Sequence, residues 1–141
     1  MKPVCTPSMA GINLSRSMIE LLAWCTREVF VVAFLNEDGR LIRVDPMFEG
    51  DALEVSVSIA DIVRAACRLG AHSIVVSHNH LTGCAKPSEQ DERFTRRLRL
   101  ALLMVDISLA DHLIVAGDVA HSMEQQGPWS APLEEYASFI R

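Results

Sequence analysis

The sequence predicts a single α/β domain in which helices flank a mixed β-sheet. Two observations carry that prediction: short β-branched runs alternate with segments of helical spacing, and no internal repeat or low-complexity linker interrupts them. A third agrees with it. The length of 141 residues, with 50% hydrophobic and 22% charged residues, fits one domain with a substantial core.

The elements follow in order. Residues 1 to about 13 read as an irregular leader, and Ser15 as the cap of a helix whose Met18, Leu21, Leu22 and Cys25 share one face. Val29 to Asn36, the turn Glu37-Asp38-Gly39, and Arg40 to Met47 read as a hairpin. The apolar run Val29 to Leu35 is far short of the roughly 20 residues that span a bilayer, so it reads as a central strand. Glu54 to Val57 alternates as a short strand. Asp61 to Leu69 is predicted helical, with Ile62, Ala65 and Ala66 inward and Gly70 as its stop. Ser73 to Ser77 is a β-branched strand. A second long helix follows, with Phe94, Leu98, Ala101, Leu102 and Val105 at helical spacing. Ile107 to Val115 is a strand, and Gly117-Asp118 turns into Val119 to Met123. The domain is expected over residues 14–128, with 129–141 as a C-terminal tail.

A net charge of −5 and a pI near 5.5 give no broad basic surface. Cys5, Cys25, Cys67 and Cys84 are widely scattered, and no basic segment leads into a signal-type apolar core. The simplest expectation is a reducing cytoplasm, with no membrane association.

The segment His78 to Asp91 is the most informative about chemistry. His78 and His80 sit where the Ser73–Ser77 strand runs out, and residues two apart in extended backbone point to the same side. The two rings therefore converge while Asn79 faces away. After a loop marked by Gly83 and Pro87, Ser88-Glu89-Gln90-Asp91 opens a helix that turns the Asp91 carboxylate back toward the strand end. Two imidazoles and one carboxylate suit a catalytic zinc, which keeps three protein ligands and one open position. The same Ser88-x-x-Asp91 spacing is also a capping box, in which both side chains satisfy free amides at a helix start.

His-x-His, seven residues, then Ser-x-x-Asp resembles the JAMM signature of JAB/MPN metallopeptidases. His78-Asn79-His80 with Gly83, and Pro87-Ser88 with Asp91, resemble the bacterial RadC branch in particular. Arg27-Glu28-Val29-Phe30, Leu35-Asn36, Gly39 to Ile42, Phe48-Glu49-Gly50 and Asp111 to Val115 resemble RadC-type segments in the same order, so the likeness covers about Thr26 to Gly127. The resemblance implies a JAB/MPN-type, cytidine-deaminase-like fold. It makes His78, His80 and Asp91 similar to the metal ligands, Ser88 to the site serine and Glu28 to the upstream catalytic glutamate. The implied activity is hydrolysis of a peptide or isopeptide bond in a protein substrate, with Zn²⁺ as cofactor, Glu28 moving the proton and Ser88 donating to the oxyanion. Read without the family, Glu28 is a solvated residue at a helix end beside Arg27.

The chain departs from the pattern in places. Leu81 stands where the family usually has proline, which frees the backbone after His80, and Thr82 where the RadC branch usually has serine. Ser58 to Val63 lacks the glutamate of a Pro-Arg-Glu sequence found in many relatives, which leaves Glu28 as the candidate base. Full-length RadC-type proteins also carry an upstream helix-hairpin-helix-like region, for which 141 residues leave no room.

Other metal chemistries find no support. The chain has no His-Glu-x-x-His, no Pro-Cys-x-x-Cys and no Cys-x-x-Cys. Cys84 reads as a small loop residue, and His72, His112 and His121 as structural or surface residues. Two further readings stay open. Arg93, Arg96, Arg97 and Arg99 cluster on the site helix and suggest a DNA-repair-associated nucleic-acid module, against which stands the acidic net charge. An inactive JAB/MPN interaction module is the other, and Leu81 keeps it open.

Overall fold

A computed structural model describes residues 7–50 and 57–126. The described chain forms one five-stranded sheet with helices on both faces. Helix α1 (Pro7–Leu22) leads into strands β1 (Glu28–Leu35) and β2 (Leu41–Gly50). Helix α2 (Ile59–Arg68), strand β3 (Ser73–Asn79) and helix α3 (Glu89–Leu103) follow. Strands β4 (Ser108–Ala116) and β5 (Val119–Ser122) and the short helix α4 (Met123–Gln126) complete the described residues. The strand order is β2-β1-β3-β4-β5, with β3 and β4 parallel and the other neighbours antiparallel. None of the described helices is long and apolar enough to cross a membrane.

Strand β1 is apolar from Val29 to Leu35 because both of its faces are covered there. Phe30, Val32 and Phe34 join Ile62, Val76, Leu98 and Leu102 under α2 and α3, whereas Val31, Ala33 and Leu35 join Met18, Leu22, Val75 and Leu113 under α1. Pro46 lies in β2, an edge strand, where a missing N–H costs no ladder bond on the outer side.

Helix α2 matches its expected inward face of Ile62, Ala65 and Ala66, and Ser58 caps it two residues earlier than expected. Its end is set by Gly70 at φ +65°. There the Gly70 N–H bonds the Cys67 carbonyl and the Ala71 N–H bonds the Ala66 carbonyl, a Schellman closure. Helix α3 closes in the same way without glycine: Asp106, at φ +60°, takes the left-handed position. Val105 therefore lies beyond the helix and is exposed, although the spacing predicted it inward.

Helix α1 corrects the expected start. It begins at Pro7, so residues 7–13 are helical rather than an irregular leader, and Ser15 is an interior residue and not a cap. Proline suits the first helical position, where its absent N–H would have had no partner. Met18 and Leu22 are buried as expected, but Leu21 is exposed and Cys25 lies past the helix end. The expected strand at Glu54–Val57 and the expected C-terminal tail lie outside the described residues, apart from Val57, which packs against the core.

Candidate metal centre

The site is built where β3 ends beside the first turn of α3. His78 is buried near the end of β3, in register with Phe30 of β1 and Ile114 of β4. His80 follows the strand, and its backbone N–H still bonds the Val115 carbonyl at 2.8 Å, which holds it extended and keeps both rings on one side. The ring centroids lie 4.9 Å apart. Phe30 stacks on the His78 ring and meets Phe94 edge-on, so one wall of the site is aromatic.

Asp91 arrives from α3, and both sequence-level readings of it hold together. Ser88 Oγ accepts from the Asp91 N–H at 3.0 Å, and the Ser88 N–H donates to Asp91 Oδ2 at 2.8 Å, so the capping box is formed. The same carboxylate reaches the imidazoles. His78 Nε2 stands 3.3 Å from Oδ1 and His80 Nε2 stands 3.2 Å from Oδ2. Because Ser88 Oγ spends a lone pair on the cap, its hydroxyl proton stays available to a ligand.

The hydrogen bonds decide which ring nitrogens face Asp91. His80 Nδ1 lies 3.0 Å from the Cys84 carbonyl, which can only accept, so Nδ1 carries a proton and Nε2 is directed at the carboxylate. A lone pair facing a carboxylate is repulsive unless a proton or a cation lies between them. The hydrogen bond to Asp91 accordingly raises the His80 pKa above its ordinary value, against the effect of burial. Burial pushes the Asp91 carboxyl up, but the hydrogen bonds from His78 and His80 outweigh it and hold Asp91 well below the usual carboxylate range.

The arrangement suits a metal ion. Tetrahedral bonds of about 2.0–2.1 Å place ligand atoms about 3.3 Å apart. The two nitrogen–oxygen separations, made to different oxygens of the one carboxylate, are close to that value, and one donor atom from each residue lies within 4.8 Å of the others. Among the described residues, His78, His80 and Asp91 are the group of histidine, cysteine and acidic side chains that could hold a metal.

Glu28 is the first residue of β1 and half-buried, not a solvated residue at a helix end. Phe30 pairs with His78 at the end of the β1–β3 ladder, and Glu28, two residues earlier in β1, lies on the same face of the sheet. Its charge contributes to the raised pKa of His80. On the other side Glu28 pairs with Gly50, which adds no side chain beside it. Leu81 is exposed, as is Cys84, which contributes its carbonyl. His72 is exposed and His121 half-buried. On α3, Arg93 lies 3.8 Å from Glu89 and Arg99 is partly buried.

Two residues gain roles that sequence reasoning did not assign. Asn79 faces away from the rings, as expected, and there its side chain clamps the chain on both sides of Glu28. Its Oδ1 accepts from the Val29 N–H at 2.7 Å and its Nδ2 donates to the Arg27 carbonyl at 2.9 Å. Asn79→Ala removes both of these part-buried bonds, and a loss of about 1–3 kcal/mol in stability is expected. Chemical denaturation measures it, and zinc content should be retained because no ligand changes. His112, fully buried, lies with Nε2 2.9 Å from His78 Nδ1. Burial foremost, and the nearby His78, push its pKa well below the ordinary value, so its imidazole is neutral.

The model of the RadC-like JAB domain matches residues 9–128. The chain belongs to the RadC-like JAB domain family. Among its relatives, a UPF0758 protein of Herminiimonas arsenicoxydans is 35% identical over 132 residues, covering 89% of this chain and 59% of that protein. A UPF0758 protein of Acidovorax sp. (strain JS42) is 42% identical over 106 residues, covering 75% and 44%. One from Cupriavidus pinatubonensis is 39% identical over 113 residues, covering 79% and 50%. The chain thus spans about half the length of the curated relatives it matches.

Proposed function

We propose that this RadC-like domain is a zinc-dependent hydrolase that cleaves a peptide or isopeptide bond in a protein substrate. The observation that supports the reading is the pair of imidazole Nε2 atoms directed at one carboxylate, 3.3 and 3.2 Å from its two oxygens, with Glu28 on the same face of the sheet. His78, His80 and Asp91 would hold the metal. When bound, it supplies Lewis acidity for a carbonyl and lowers the pKa of water toward neutrality.

The remaining chemistry belongs to the chain's own residues. Glu28 takes a proton from water in the site and delivers it to the leaving amine, so that it ends the cycle unprotonated. The Ser88 hydroxyl donates to the oxyanion that develops as the amide carbonyl is attacked. His80, at the rim with a partly exposed side chain, marks the open side by which a substrate enters. Phe30 and Phe94 keep the wall behind His78 dry.

A panel of peptide and isopeptide-linked substrates tests the proposal. Turnover by the zinc-loaded chain should vanish with a chelator and return with added zinc. Firmly bound zinc without turnover on any amide would favour a binding module that does not hydrolyse.

A further inference from the structure

We propose that Thr95 and His112 form a one-way hydrogen-bond relay that fixes which nitrogen of His78 meets the metal, making them positioning residues of the site. The inference rests on the zinc reading above and adds residues that touch neither the ion nor a substrate.

The direction of the relay follows from one proton. Thr95 Oγ1 lies 2.6 Å from the Asp91 carbonyl oxygen, a separation at which a proton must stand between the oxygens. A carbonyl has none, so the Thr95 hydroxyl gives its only proton to Asp91; the Met123 sulfur at 3.6 Å is a weaker and more distant competitor. Thr95 Oγ1 then has only lone pairs for His112 Nδ1, at 2.7 Å. His112 Nδ1 must therefore carry the ring proton. Its Nε2 becomes an acceptor, and His78 Nδ1, at 2.9 Å, must donate to it. That leaves His78 Nε2 as the metal-facing atom, 3.3 Å from Asp91 Oδ1.

The relay is a closed circuit. It begins at the Asp91 main-chain carbonyl, crosses α3, β4 and β3, and returns to the Asp91 carboxylate. The single helical turn between Asp91 and Thr95 sets both ends, so the ligand carboxylate and the orientation of His78 are fixed by one element. All four residues are buried. His80, nearer the surface, reaches the same state through the Cys84 carbonyl alone.

Two substitutions separate the relay from packing. Thr95→Val keeps the shape and removes the hydroxyl, whereas Thr95→Ser keeps the hydroxyl and removes a methyl. Chelator competition should show zinc affinity reduced about 10–100-fold in Thr95→Val and close to wild type in Thr95→Ser. Long-range proton–nitrogen NMR of histidine-labelled wild type should find the His112 proton on Nδ1 with and without zinc, and the single His78 proton on Nδ1 when zinc is bound. Wild-type His112 protonated on Nε2 would overturn the relay, even if Thr95→Val failed to fold. Equal zinc affinity of wild type and Thr95→Val, with unchanged tautomers, would overturn it as well. Failure of the zinc reading is distinguishable, because wild type would then take up no zinc while the metal-free spectrum still reported the relay's direction.

Discussion

Replacing His78 and His80 together by alanine is expected to lower zinc content from about one per chain to a small fraction of that, because one carboxylate cannot hold the ion against water. The effect is large because the loss is double: two of three ligands disappear, and the remaining Asp91 keeps only its cap bond from Ser88. Elemental analysis of protein prepared without chelator makes the comparison. Folding must be followed beside it. Removing His78 leaves His112 Nε2 without its buried donor, worth about 1–3 kcal/mol. His80→Ala alone is the cleaner companion, since His80 is the more exposed ring and its other partner is a loop carbonyl. Equal zinc content in wild type and the double variant would remove the site, leaving a capped helix that follows a strand.

Much of the site was legible because its signals are local. The two-residue period of a strand puts His78 and His80 on one side whatever the rest of the chain does. Ser88 and Asp91 are three apart at a helix start, which brings them together by backbone geometry alone. The apolar run of β1 gave a central strand, and the turn at Glu37 to Gly39 gave the hairpin. Glu28 was different. Nothing around it in sequence marks it as functional, and only its likeness to the family's glutamate pointed to it; the alternation of β1 puts it on the face of Phe30 and His78, and its charge acts on His80.

His112 was hidden by a β-bulge. Ile74 pairs with Leu109 but Val75 pairs with Asp111, so Ala110 is skipped and the alternation of β4 shifts by one residue. A strict two-residue period running from the buried Leu109 would turn Asp111 inward and His112 to the opposite face. With the bulge, His112 shares the face of His78, across 34 residues of sequence. Asp111 is freed to hold the bend. Burial pushes its pKa up, while bonds from Ser122, the Glu124 N–H and the His112 N–H oppose that shift and tie β4 to β5 and α4. Helix α1 was misjudged for another reason: Ser15 has the residue type of a cap, but the proline that opens the helix lies eight residues earlier.

Glu28→Gln is expected to keep its zinc and lose about 10²–10⁴-fold in turnover. Glutamine preserves the side-chain shape, and Glu28 is not among the residues whose donor atoms converge, so metal content should match wild type. It cannot accept and return a proton, however, and that step is what Glu28 supplies. The Asn79 clamp makes the comparison informative. Because Asn79 fixes the backbone at both Arg27 and Val29, the substituted side chain starts from the same position, and lost turnover reports chemistry rather than displacement. Metal content and hydrolysis measured on one preparation give the diagnostic pair. If Glu28→Gln turned over as fast as wild type, the base would have to be sought elsewhere, and the described acids offer little: Glu49 is exposed and pairs opposite Val29 on the other face of the sheet, and Asp61 is exposed and bridged to Arg64. Glu28 shares the sheet face of His78 and its charge acts on His80, and that is why the largest catalytic loss is expected there.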